Sequence, residues 1–75
     1  MERYRNLGGN SGISAYEAGN DFIIVEFNDG SSYLYDYNDP GEADVEHMKS
    51  LAASGRGLNS FISREVRKRY AEKLR

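Results

Sequence analysis

Seventy-five residues without a cysteine make one small domain, near the lower size at which a single core folds without staples; disulfides, thiolate zinc sites and thiol redox chemistry are excluded. The net charge of −2 hides a split: residues 1–55 hold three basic against ten acidic groups (−7), and residues 56–75 hold seven against two (+5). An acidic body with a basic tail points to a partner without naming it. No run approaches the roughly 20 apolar residues that span a bilayer. The opening MERYRNLGGNSG has no signal-peptide core, so no membrane partner and a cytoplasmic location are expected.

Residues 1–10 are polar and end in Gly-Gly-Asn, which predicts a flexible lead-in, with a single domain over 11–75. From Ser11 to Ala18, alternation sets Ile13 and Ala15 on one side of a strand and Ser14 and Tyr16 on the other, and Gly19-Asn20 closes it as a turn. The strongest signal follows: DFIIVEF and SSYLYDY flank Asn28-Asp29-Gly30. A type I turn with Gly30 left-handed puts Phe27 opposite Ser31, Val25 opposite Tyr33 and Ile23 opposite Tyr35. Ile23, Val25, Phe27, Tyr33, Tyr35 and Tyr37 then share the core face, and Phe22, Ile24, Glu26, Leu34 and Asp36 the other. A two-residue loop would instead pair Ile24 with Tyr35 and scramble this division, so the loop length sets the register.

Two helices should cover the core face. Asp39-Pro40-Gly41-Glu42 reads as a helix start, with Asp39 as cap, Pro40 in the first turn, and Asp44 as an alternative cap. Ala43, Val45, Met48, Leu51 and Ala52 form the apolar stripe, and Ser54-Gly55 ends it. Beyond Gly57, Leu58, Phe61, Ile62, Val66, Tyr70 and Leu74 are spaced 3, 1, 4, 4 and 4, which predicts one long second helix capped by Asn59 or Ser60. Arg64, Arg67, Lys68 and Arg75 project from its far side, with Arg69 and Lys73 on the flank. The fold class expected is α+β: a three-stranded antiparallel meander packed on one face by two C-terminal helices.

Little of this carries catalytic chemistry. His47 is the only imidazole and lacks metal-ligating partners, and no serine is marked as its nucleophile. Gly55-Arg56-Gly57 lacks the spacing of a phosphate loop and serves as a helix terminator. No enzyme, cofactor, metal or small-molecule substrate is expected. Two binding surfaces remain. Arg56, Arg64, Arg67 and Lys68 could track a phosphate backbone, and a nucleic acid is the leading expectation. Phe22, Ile24 and Leu34, left open on the second sheet face, could seat a protein partner or a second copy. Tyr33 and Tyr35 could stack bases, but their alignment with Val25 and Ile23 favours the core.

The pattern Ser11-x-Ile13-x-x-Tyr16-Glu17, Ile23-x-Val25-x-Phe27 with Gly30, Tyr33-x-Tyr35, then Ala53-Ser54-Gly55-x-Gly57-Leu58-Asn59 and Phe61-Ile62 resembles the KTSC domain. That small module occurs at the C-terminus of some lysyl-tRNA synthetases and as free-standing bacterial or phage proteins. Family members more often carry an aromatic where Leu58 stands and an aliphatic residue before Pro40. The resemblance implies the same small fold, structural roles for Gly30, Tyr33, Tyr35, Gly55, Asn59 and Phe61, and, through the synthetase context, RNA binding.

Overall fold

The computed structural model describes residues 1–7, 9, 12–66 and 68–75. It is an α+β fold: a five-stranded antiparallel sheet in the order β1 (Glu2–Arg3), β2 (Ile13–Ala18), β3 (Phe22–Phe27), β4 (Ser32–Asp36) and β5 (Glu72–Lys73). Helix α1 (Glu42–Ser54) and the short α2 (Leu58–Phe61), which runs on into a π-helical turn over Ile62–Val66, fall between β4 and β5. The expected meander is the centre of this sheet, and one short strand has been added at each edge.

The hairpin register is the three-residue-loop one. Ile23 pairs with Tyr35, Ile24 with Leu34 and Val25 with Tyr33. Phe27 N–H donates to Ser31 C=O at 2.8 Å and Gly30 N–H to Phe27 C=O at 3.0 Å, with Gly30 at φ 90°. That left-handed residue lets the strands close without splaying. Ile23, Val25 and Tyr35 are buried. Phe27 and Tyr33 pack at their margin, and Tyr37, past the end of β4, is exposed. Strand β2 departs from simple alternation. A bulge between Ile13 and Ala15 pairs Ile13 with Phe27 but Tyr16 with Val25, so Ile13 and Tyr16 share the core face.

Residues 2–7 do more than lead in. Glu2 and Arg3 pair with Tyr16 and Ala15, and Tyr4 enters the core at 4 % exposure. Its hydroxyl accepts the N–H of Leu58 at 3.3 Å, at the first residue of α2. Leu7 N–H bonds Gly55 C=O at 2.7 Å and Arg5 reaches the Ala53 carbonyl, so the arm is tied to the end of α1.

The helix starts also differ from the expectation. Gly41 is the residue preceding α1 and no side chain caps it. Asp39 and Pro40 lie in a turn where Asp36 and Asp39 exchange both backbone hydrogen bonds (3.0 and 3.1 Å). The Asp36 carboxylate takes the N–H groups of Asn38 and Asp39, so local turn chemistry wins over capping. Neither Asn59 nor Ser60 caps α2; Gly57, at φ 86°, precedes it. The C-terminal stop is as read: Gly55 sits at φ 76° and donates to the carbonyls of Leu51 and Ala52.

The largest correction is the C-terminal tail. The helical run ends at Val66, not near Leu74. Val45, Met48, Ala52, Leu58, Ile62 and Val66 are buried over the sheet, but Leu74 is exposed. The chain then lies along β4: Ala71 N–H bonds Leu34 C=O at 2.7 Å and Leu74 N–H bonds Ser32 C=O at 2.8 Å. A helix there would have left this edge of β4 unpaired, and edge pairing overrides the periodic pattern.

Candidate functional site

The two sequence-derived surfaces fare differently. The basic residues do not share a helical face, because the helix they were placed on stops at Val66. Arg56, Arg64 and Lys68 are exposed and form no ion pair among the described residues, and Arg67 lies outside those residues. The others are spread over the molecule. The Arg69 guanidinium donates to Pro40 C=O at 2.9 Å and lies 3.7 Å from the Asp44 carboxylate, which ties the tail to α1. Lys73 Nζ stands 5.9 Å from the centroid of the Tyr33 ring. Arg75 reaches the opposite side of the sheet, 4.0 Å from Glu26 Oε2.

The tyrosines belong to packing. Tyr33 lies edge-on to Phe27 at 5.7 Å and against Tyr70 at 4.7 Å, and Tyr70 meets Tyr35 at 6.4 Å. Burial, with Tyr33 and Tyr70 close by, pushes the Tyr35 phenol up to about 12, so it stays neutral as a core group must. Tyr37 is also raised to about 12, chiefly by its hydrogen bond to Glu46 (2.6 Å). Lys49 completes that cluster: its ammonium lies 2.7 Å from Glu46 and donates to the carbonyls of Gly19 and Asn20 at 2.9 and 3.1 Å. The arrangement latches α1 to the turn between β2 and β3. His47, exposed, meets the Phe61 ring at 4.8 Å. Asn59 faces Gly12, where an added Cβ would lie 4.0 Å from its amide nitrogen.

The second sheet face is where the sequence placed it. Residues paired across antiparallel strands point the same way, and successive residues alternate. Ile23, Val25 and Tyr35 turn towards the helices, so Phe22, Ile24 and Leu34 turn away from them. All three are half-buried. The Phe22 ring folds over Gly19, where a Cβ would come within 2.1 Å of it, so glycine is what allows the ring to lie flat there. Ile24 and Leu34 sit side by side.

Register adds residues that the sequence reading missed. Glu17 pairs with Ile24 and Glu72 with Leu34, giving one cross-sheet row Glu17–Ile24–Leu34–Glu72. Glu26 and Asp36 stand in the adjoining rows, opposite Ser32 and Phe22. The patch is therefore apolar at its centre, with Glu17 and Glu72 closing the two ends of its central row, while the adjoining row Arg3–Ala15–Glu26–Ser32 carries an arginine as well as a carboxylate. Asp36 is engaged in its own turn and Glu26 lies near Arg75, but Glu17 and Glu72 are exposed and form no ion pair among the described residues. Glu17 was visible within a strand; Glu72 was hidden because its position depends on β5.

Among the described residues no helix is long and apolar enough to cross a membrane, and no group of three or more His, Asp or Glu side chains is placed to hold a metal ion. The chain matches no protein-family model, no curated protein and no solved structure.

Proposed function

We propose that this chain is a small, non-enzymatic cytoplasmic binding module that engages a protein partner through the sheet face opposite its helices. The observation that carries the reading is the Phe22, Ile24 and Leu34 cluster at the centre of that face. Grouped apolar side chains on an otherwise charged surface mark interaction sites more often than scattered ones do. The strongly perturbed phenols support the non-enzymatic part, since Tyr35 lies in the core and Tyr37 in a helix latch instead of converging on a cleft. The KTSC resemblance rests on the residues between Ser11 and Ile62 quoted above for it. The second reading, RNA binding, rests on the exposed Arg56, Arg64 and Lys68.

The test is differential capture with immobilised wild-type protein, Leu34→Asp and Arg64→Glu, read by quantitative mass spectrometry and by RNA recovery. The proposal expects a protein set retained by wild-type and Arg64→Glu and lost on Leu34→Asp. Equal protein recovery on all three supports refutes it. Salt-sensitive RNA recovery that vanishes on Arg64→Glu would move the assignment to the second reading.

A further inference from the structure

The protein-binding reading leaves the partner's chemistry open, and the row Glu17–Ile24–Leu34–Glu72 constrains it. We infer that the partner presents an amphipathic helix whose apolar stripe is flanked on both sides by Lys or Arg, lying along β3 and β4. This inference rests on the proposed use of that face.

Charge and shape both point this way. Neighbouring strands lie about 4.8 Å apart, so Glu17 and Glu72 stand roughly 14 Å from each other, with Ile24 and Leu34 between them. A helix with its side chains is about 10–12 Å across. Laid along the strands, it meets Ile24, Leu34 and Phe22 with its stripe and leaves one carboxylate at each flank. Long cationic side chains beside the stripe reach those carboxylates while their methylenes cover apolar surface. Glu17 and Glu72 disfavour a second copy whose central row stacks on this one, because that pairing would set carboxylates against carboxylates. A nucleic acid is disfavoured for the same reason. The patch centres on Phe22, Ile24 and Leu34, a small apolar area, so the complex is of the small, transient kind.

The experiment is a titration of isotope-labelled full-length protein, followed by backbone amide shifts, with two peptides of about 14 residues, enough at 1.5 Å per residue to run the ~20 Å of β3. Both carry the same leucine stripe; one has lysines beside it and the other glutamates. The lysine peptide is expected to shift amides of Glu17, Ile24, Leu34 and Glu72, to bind at least about tenfold tighter than the glutamate peptide, and to weaken as salt rises. Glu17→Lys with Glu72→Lys should reverse that preference. Equal binding of both peptides, lost on Leu34→Asp, would overturn the cationic partner and leave the face as a binding site. Shifts from either peptide that ignore Leu34→Asp would overturn both. Concentration-dependent dimer mass in sedimentation, abolished by Leu34→Asp, would assign the face to a second copy instead.

Discussion

Tyr4 offers a sharp test of how this small domain is held together, because it joins an N-terminal arm to a helix start 54 positions away. The ring is 4 % exposed within the core cluster, and its hydroxyl accepts the Leu58 N–H at 3.3 Å. Leu58 is fully buried and no side chain caps α2, so the phenol oxygen takes the place of a cap. Tyr4→Phe keeps the packing and leaves a buried donor unpaired, a loss of about 1–3 kcal/mol; the long 3.3 Å bond favours the lower end. Tyr4→Ala also empties the ring's volume and should cost about 3–5 kcal/mol. A domain of this size has roughly 4–11 kcal/mol in all, so the second change removes a large share. At about 4–8 °C per kcal/mol, Tyr4→Phe should lower Tm by about 4–8 °C and Tyr4→Ala by roughly 15 °C or more. Urea and thermal unfolding followed by far-ultraviolet circular dichroism would read both. A Tyr4→Ala variant within about 0.5 kcal/mol of wild type would refute the docked arm. Equal losses for the two variants would refute the division between hydrogen bond and packing.

Removing Ala71 to Arg75 should leave far-ultraviolet helical signal unchanged and cost about 1–2 kcal/mol of edge pairing, while extending the deletion to Tyr70 should cost more, since its ring meets Tyr33 and Tyr35; a drop in helicity on the shorter deletion would contradict β5. Gly55→Ala should destabilise by about 1–2 kcal/mol or more, because φ is 76° and the new Cβ would lie 2.8 Å from Arg5 Cβ. Gly30→Asn, at φ 90° in open space, should cost less in the same unfolding assay, and the opposite order would contradict the two environments. Glu46 is held below its ordinary value near 4.5 by hydrogen bonds from Lys49 and then Tyr37, so its contribution is present above that value and is lost as pH falls through the lower folded value. Glu46→Gln should therefore flatten the acid side of a stability–pH curve, and an unchanged curve would contradict the latch. Burial raises the Tyr35 phenol to about 12, so its contribution is present below about pH 10 and fades between 10 and 12; Tyr35→Phe should remove one late component from the ultraviolet phenolate titration, and an unaltered titration would contradict its burial.

What could be read from sequence tracks how local the deciding physics is. The hairpin depended on one left-handed glycine and a period of two, both local, so Val25–Tyr33 and Ile23–Tyr35 follow directly. The bulge in β2 did not announce itself, since Ser14 and Ala15 fit either face, and pairing with β3 decides the matter. Tyr4, a single ring between Arg3 and Arg5, has no periodic neighbours to mark it as core. The tail carried a clue in its spacing. Steps of 4, 4 and 4 from Ile62 drift by about 40° each on a helix of 3.6 residues per turn, whereas a straight α-helical stripe alternates threes and fours. The π-helical turn widens the helix and keeps both Ile62 and Val66 buried. Tyr70 then joins the aromatic margin by a different route.

The tail also decides how much of the candidate site could be seen. Phe22, Ile24 and Leu34 emerge from the hairpin alone, because one face of a strand pair is fixed once the other is. With the tail as a helix, that face is an apolar patch with Glu26 and Asp36 beside it, and a second copy is as good an occupant as any. With the tail as β5, Glu72 stands next to Leu34, opposite Glu17 across the row, and the patch gains matched carboxylates on both flanks. The same pairing moves Arg75 to the sheet and Arg69 to Asp44, which breaks up the basic stripe that favoured a nucleic acid. The strand pairing of residues 72–73 thus underlies the proposal of a cationic helix, and the scatter of Arg69, Lys73 and Arg75 removes the continuous stripe on which the phosphate-backbone reading relied.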